Sequence, residues 1–490
     1  MKTILAIDQS TSATKALLFE TDGRLIDQVS LDHQQHYPRP GWVEHDAEEI
    51  YRNTIAALRT LLARTGADDI SCLSITNQRE TIVVFDKATG QPLYSAIVWQ
   101  CRRGDPICRR LIEAGHEELV RQKTGLKIDT YFPASKLTWL FEHEPQIKQQ
   151  VYNGQALIGT IDAYLIYRLT GGQVFATDHT NACRALLLNI RDLQWDQELC
   201  DLFSVPLLAL PDVRESGARY GETRLEGLLE SAIPICGVMG DSQAALFAQR
   251  CFEPGSAKVT LGTGSSVLLN IGNDMRQSES GNVTTIAWVH QGQPTYAFEG
   301  IINYTGASIA WLRDQLQLIE SSEETEVLAR SVSDNAGVYL VPAFVGLSAP
   351  YWRADVQAAI IGLTPSSTKA HVVRAALESI AYQVKDVLDL MAQDADMPLT
   401  LVHADGGAVR NGFLIQFMAD MIRLKVRASS LPELSALGAV FSGLLGIGIC
   451  KSLKDLETMP LAFADYDPKM DATLAGDYFT AWKAAVQRVL

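Results

Sequence analysis

Residues 4–19 read ILAIDQSTSATKALLF, and residues 257–269 read AKVTLGTGSSVLL. Each is an apolar run, a turn dense in Gly or hydroxyl residues, and a second apolar run. Two such hairpins in separate halves of the chain signal a duplicated unit. A turn of Ser, Thr and Gly leaves backbone N–H groups free, and a row of such groups forms an anion-binding concavity. Two phosphate-binding hairpins on duplicated halves point to a nucleotide held in a cleft.

Working outward, five apolar runs end abruptly. ILAI stops at Asp8, CLSIT at Asn77-Gln78-Arg79-Glu80 and PICGVMG at Asp241. KVTL stops at Gly262-Thr263-Gly264 and LVHA at Asp405-Gly406-Gly407. Short apolar runs with β-branched residues read as buried strands. Helical spacing is present at 46–64, at 134–151 with a break at Pro145, at 161–169, at 306–317 and most clearly at 370–392. Strands alternating with helices make this an α/β chain. In open α/β sheets ligands sit beyond the carboxyl ends of strands, so the groups at the five ends are candidates for one cleft. Pro254 and Gly255 break both element types just before the second hairpin. This boundary divides the chain into halves 1–250 and 251–490.

The chain's 490 residues exceed what one core usually holds. Its 47% hydrophobic and 20% charged content is that of an ordinary globular protein. A net charge of −15 argues against nucleic acid as the main partner, because phosphate backbones need a basic surface. Asp8 falls where the apolar core of a signal peptide would lie. The longest nearly apolar stretch, 437–450, is Gly-rich and shorter than the roughly 20 residues of a membrane span. The eight cysteines form no CxxC pair, which predicts reduced thiols, a cytoplasmic protein and no structural zinc. Neither a membrane nor a nucleic-acid partner is expected. The oligomeric state is open, a homo-oligomer included.

No P-loop, no dinucleotide fingerprint after the first strand and no hydrolase elbow occurs. What remains is the pair of hairpins and the strand ends. Asp8 and Asp241 can each hold Mg²⁺, act as a general base or simply cap a helix. A phosphoryl-transfer site needs a metal, donors for the equatorial oxygens and a group orienting the nucleophile. Arg79-Glu80 offers the adjacent donor and acceptor that a hydroxylated ligand requires, or else a structural ion pair. Trp99 covers an apolar ligand face or fills the core. The nine His show no metal-ligand spacing.

With these residues the chain resembles the FGGY carbohydrate kinase family, on its glycerol-kinase side. The resemblance rests on IDQSTSATKALLF (7–19), PGWVEHD (40–46), ITNQRET (75–81), GDSQAALF (240–247), LGTGSS (261–266) and DGGAVRN (405–411). It also rests on two signature regions, one from Tyr131 to His143 with Lys136, the other from Ala358 to Glu378. It covers nearly the whole chain.

The resemblance implies an actin-like fold of two ribonuclease-H-like α/β domains with the active site in the interdomain cleft. It implies transfer of the γ-phosphate of ATP, with Mg²⁺, to a terminal hydroxyl of glycerol or a related small polyol. A longer polyol or a ketose such as xylulose or ribulose is the alternative acceptor. An actin-like ATPase or a sugar-sensing module is the alternative of another class. Carried onto this sequence, Asp241 is the general base. Arg79, Glu80, Tyr131 and Asp241 hold the substrate hydroxyls, and Trp99 packs on the carbon chain. Thr11, Ser12 and Lys15 meet the phosphates. Thr263, Gly306, Gly407 and Asn411 form the nucleotide side; for the metal, the strand-end carboxylate Asp8 is the candidate. The sequence departs from the family pattern in four places. Lys15 stands for Arg, Ser242 for a Gln beside the substrate, Ser266 for a Phe on the substrate carbons and Ala310 for a Gln near the nucleotide. The first three leave the reaction type intact and open the acceptor identity. The loop of some bacterial relatives that binds fructose bisphosphate would fall near 223–233, which here reads TRLEGLLESAI, without its glycine-rich character.

Overall fold

The apolar run at residues 4–7 is the buried centre of strand β1 (Thr3–Gln9) in the computed structural model, which describes residues 2–353 and 355–490. The turn Ser10–Ser12, closed by the Ser10 amide on the Ala13 carbonyl at 2.9 Å, reverses the chain into antiparallel β2 (Ala13–Glu20). β2 pairs with β3 (Leu25–Asp32), and β1 runs parallel to β4 (Ile70–Asn77). With β5 (Arg219–Thr223) and β6 (Ile233–Gly240) they form one sheet ordered β5-β6-β4-β1-β2-β3.

Its three central strands are parallel, and their register sets Gln9 opposite Asn77 and Asn77 opposite Gly240. They therefore end in line, which delivers Asp8, Arg79 and Asp241 to one edge of the sheet. The helix Ala47–Thr65 packs on β2 and β3 through Ile50, Ile55, Leu58 and Leu61. Each such apolar side chain contributes roughly 1.5–3 kcal/mol relative to exposure. Asp46 caps it by accepting from the Glu48 amide at 2.9 Å. The helix Leu434–Gly446 packs on β1, β4 and β6 and against the helix Asp241–Ala248. That approach needs glycine, since a Cβ on Gly438 would lie 1.9 Å from the Ala244 carbonyl oxygen.

The chain divides into two compact units. Unit 1 holds the residues up to Arg250, Thr284–Tyr296 and Glu433–Pro460; unit 2 holds Cys251–Val283, Ala297–Pro432 and Leu461–Leu490. The sequence boundary cuts the chain once, whereas two later segments return to pack with unit 1. Those returns are packing events: Pro432 and Pro460 stand at the limits of the second, but a breaker does not say which unit the next segment joins.

Unit 2 repeats the arrangement of unit 1. The turn Gly262–Gly264 joins antiparallel β7 (Ser256–Leu261) and β8 (Ser265–Gly272). β7 runs parallel to β9 (Leu401–Asp405), and β9 parallel to β10 (Val426–Ala428). A final strand, β11 (Ala464–Tyr466), closes that side. The order β8-β7-β9-β10 thus matches β2-β1-β4-β6, an antiparallel hairpin followed by two parallel strands. Thr260 sits opposite Asp405, so both Gly-rich turns leave the same edge. The long helix Lys369–Ala395 packs on β8 and on the helix Gly412–Ile422.

The predicted helix at 134–151 is two, Pro133–His143 and Pro145–Tyr152, because Pro145 removes an amide and starts the second. All eight cysteines are unpaired and buried. Among the described residues no helix is long and apolar enough to cross a membrane.

Candidate functional site

The ends of β1, β4 and β6 make an ionic cluster. Asp8 is buried, and burial pushes its carboxyl up to about 7; Lys15 opposes this, while Glu433 and Asp241 add to it. Lys15 faces Asp8 across the β1–β2 pair and gives its ammonium to both oxygens of Glu433 at 2.8 Å. The expected phosphate-binding cation is thus held by a carboxylate from the segment that returns to unit 1. Asp241 is the first residue of the helix Asp241–Ala248, with its side chain 40% exposed. Its Oδ1 accepts from Arg79 Nε at 3.1 Å and from the Ser242 amide at 2.6 Å. Both bonds fall on Oδ1, which leaves Oδ2 for a proton from a ligand. Arg79 is fixed in turn by Gln243, whose Oε1 accepts from Nη1 at 3.1 Å.

Glu80 adopts φ 62°, a left-handed conformation uncommon outside glycine. Strain of this kind clusters at functional positions and persists where the surroundings over-determine it. Here Arg184 supplies that hold, with Nε 2.6 Å from Glu80 Oε1 and both side chains almost fully buried.

Trp99 and Tyr131 stand side by side, ring centroids 5.3 Å apart, and Trp99 Nε1 donates to Thr11 Oγ1 at 3.0 Å. This aromatic pair is anchored from behind by Lys136. Its buried ammonium donates to the carbonyls of Val98 and Trp99 at 3.0 Å and of Tyr131 at 3.2 Å. Burial pulls the Lys136 amine down to about 7. Ser12 is exposed at the tip of the first hairpin. Of the sequence-predicted residues of unit 1, Asp8, Lys15, Arg79, Asp241 and Ser242 form one group and Thr11, Trp99 and Tyr131 another, while Glu80 is held by Arg184 and Ser12 stands exposed.

The predicted nucleotide residues all lie in unit 2, around one cavity of about 490 Å³ lined by Thr263, Gly306, Ala310, Gly407 and Asn411. The hairpin turn and a helix start meet there. The Gly306 amide donates to the Gly262 carbonyl at 2.9 Å, and a Cβ on Gly306 would stand 2.7 Å from that oxygen. Asn411 caps the helix Gly412–Ile422 by accepting from the Leu414 amide, and its amide group reaches Thr325 at 3.0 Å. The walls combine apolar Ile309, Leu377 and Ile380 with the ionic Arg313, Glu323 and Arg410. Apolar faces with a few convergent polar groups suit a planar base and its sugar. Ser266 lies on β8, its Oγ buried without a hydrogen-bond partner.

Sequence reading missed Arg184, Gln243 and Glu433. Each borders an apolar run, in ACRALLL, DSQAALF and LPELSALGAV. That context was the available signal, since a buried polar group must have a partner.

Residues 3–248 match the family model of the N-terminal domain, and residues 257–446 that of the C-terminal domain, of the FGGY family of carbohydrate kinases. The chain belongs to this family of ATP-dependent kinases. It is 46% identical over 489 residues to glycerol kinase 1 of Thermotoga maritima, covering 99% of each chain. It is also 46% identical to a glycerol kinase of Stenotrophomonas maltophilia, over 99% of this chain and 98% of the relative. Among solved structures, Plasmodium falciparum glycerol kinase with ADP matches with a TM-score of 0.96 at 35% identity, covering 100% of this chain and 98% of that one. A xylulose kinase from Lactobacillus acidophilus, 21% identical, shares the fold at a TM-score of 0.89.

Proposed function

We propose that this chain phosphorylates a terminal hydroxyl of glycerol, using ATP held in the unit 2 cavity and an acceptor held by unit 1. The observation that carries this reading is the Asp241 carboxylate, half-exposed at a strand end and clamped on one oxygen by Arg79. Such a group takes a proton and is fixed in direction. As the acceptor oxygen attacks the γ-phosphorus, its proton passes to Asp241, a new P–O bond forms, and the bond to ADP breaks. Arg79 and Glu80 supply donor and acceptor to the remaining hydroxyls, Trp99 and Tyr131 the apolar wall. The substrate half is residues 1–250 and the nucleotide half residues 251–490.

Lys15, Thr11 and Ser12 serve the phosphates, and Lys15 must exchange Glu433 for phosphate oxygens. Mg²⁺ takes oxygen ligands from one or two carboxylates plus the nucleotide. Asp8 fits that part, because burial, with the like charges of Glu433 and Asp241 added, pushes its carboxyl up, and a cation beside it offsets that cost. When bound, the ion neutralises charge on the transferring phosphate. The unpaired cysteines suit a reducing, cytoplasmic setting.

A longer polyol or ketose as acceptor is favoured by the unpartnered Ser266 hydroxyl, since a pairing group discriminates where an apolar wall does not. The test is ADP formation with glycerol, erythritol, xylitol, D-xylulose and D-ribulose, on the wild type and on Ser266→Phe. We expect glycerol to be used, a measurable rate on a longer acceptor, and a shift back toward glycerol in the variant. Glycerol alone, more than about 10³-fold above every other acceptor, removes the role of Ser266. No ADP with any acceptor removes the kinase reading.

A further inference from the structure

The segment Asp178–Arg184 is a short buried element that reaches both strands carrying the proposed acceptor groups. Asp178 accepts at its two oxygens from the amides of Thr180 and Asn181 at 3.0 and 2.9 Å and from the Ser216 hydroxyl at 2.7 Å. It also takes the Thr180 hydroxyl at 2.7 Å and the Asn181 amide group at 2.9 Å. A backbone amide only donates, so Thr180 Oγ1 must accept from the one it meets and turn its own proton inward to Asp178. Its oxygen then faces outward, where it accepts the Gly240 amide at 2.8 Å. Gly240 is the residue immediately before Asp241.

The neighbouring arms run to the other strand end. Asn181 and Asn77 exchange reciprocal side-chain hydrogen bonds at 3.0 and 3.1 Å, two residues before Arg79. Arg184 holds Glu80 at 2.6 Å. Cys183 Sγ lies 3.3 Å from Thr285 Oγ1, which accepts from Gln243, the residue that fixes Arg79. Asp178, Thr180, Asn181, Asn77 and Gln243 are all fully buried. A closed network of this kind has no water to substitute for a lost bond.

We propose that Thr180, oriented by Asp178, is a positioning residue for phosphoryl transfer, setting the place of Asp241 through the Gly240 amide while Asn181 and Arg184 set the Arg79-Glu80 elbow. The inference rests on Asp241 being the base. A displacement of about 1 Å at a reacting group costs on the order of 10²-fold in rate, which sets the scale for Thr180.

The test compares Thr180→Val, which keeps the shape and loses both hydrogen bonds, with Thr180→Ser, which keeps the hydroxyl. Steady-state kinetics with glycerol and ATP, and thermal melting, are measured for both beside Asp241→Ala. We expect Thr180→Val to lower kcat by about 10- to 100-fold with the KM for ATP within about twofold. Thr180→Ser should return kcat to within about threefold of wild type. Should Thr180→Val not fold, Thr180→Cys, a weak donor and acceptor of similar size, is read by the same ratio to Thr180→Ser. A kcat within about twofold of wild type in the hydroxyl-free variant overturns the proposal. So does a kcat lost equally in Thr180→Ser. Retained activity in Asp241→Ala refutes the base assignment instead, and is told apart by that variant alone.

Discussion

Replacing Asp241 is the sharpest test of the site. In wild type its Oδ1 is occupied by Arg79 Nε at 3.1 Å and the Ser242 amide at 2.6 Å, and the side chain is 40% exposed. Asp241→Ala removes the proton acceptor and also leaves the buried Arg79 guanidinium without that carboxylate. Asp241→Asn keeps the shape and the bond from the Ser242 amide but cannot take a proton. A positioned general base contributes roughly 10²–10⁴-fold, or about 2.7–5.4 kcal/mol of barrier. Both variants should therefore lose kcat by that factor. The exposure of Asp241 keeps the folding cost small for Asn. The nucleotide cavity is lined wholly by residues of unit 2, so the KM for ATP should stay within about twofold. A coupled ADP assay with glycerol, and equilibrium binding of an ATP analogue, read the two quantities separately. A kcat above about a tenth of wild type in Asp241→Asn would refute the argument, because an amide cannot take the acceptor's proton.

Glu80→Gln leaves Arg184 buried without its ionised partner, and should cost about 3–5 kcal/mol in urea unfolding, with acceptor KM raised. Gly306→Ala puts a methyl 2.7 Å from the Gly262 carbonyl oxygen, and should raise the KM for ATP more than that for glycerol. Asp162 is buried, and burial raises its carboxyl from 3.8 to about 7. The folded state thus holds a proton that the unfolded chain releases, so this group's contribution to stability is largest below pH 3.8 and is lost as pH rises to about 7. Asp162→Asn should therefore gain stability over wild type at pH 8 relative to pH 4, measured as the difference in melting temperature. An equal difference at both pH values refutes it.

Much of the fold was legible in residues 4–19 and 257–269, because strand-turn-strand chemistry is local. Apolar runs form strands, hydroxyl and Gly turns close them, and both hairpins stand where expected. The helix Ala47–Thr65 with its Asp46 cap and the break at Pro145 follow from equally local rules. Side chains at strand ends were legible too, since parallel strands in register bring Asp8, Arg79 and Asp241 to one edge. The Gly-rich turns reach the cavity edge for the same reason.

Other features belong to the tertiary structure. That Lys15 meets Glu433, 418 positions away, depends on a segment returning to unit 1 after the whole of β9 and β10 has been laid down. That Glu80 pairs with Arg184 and Gly240 with Thr180 depends on a four-residue helix, too short for any periodicity to reveal. The sequence alone determined which residue types stand at the strand ends, because that is a property of neighbours along the chain. Only the tertiary structure decided which buried polar group satisfies which. Burial makes an unpaired partner expensive, and the partner is whatever the packed chain brings within 3 Å.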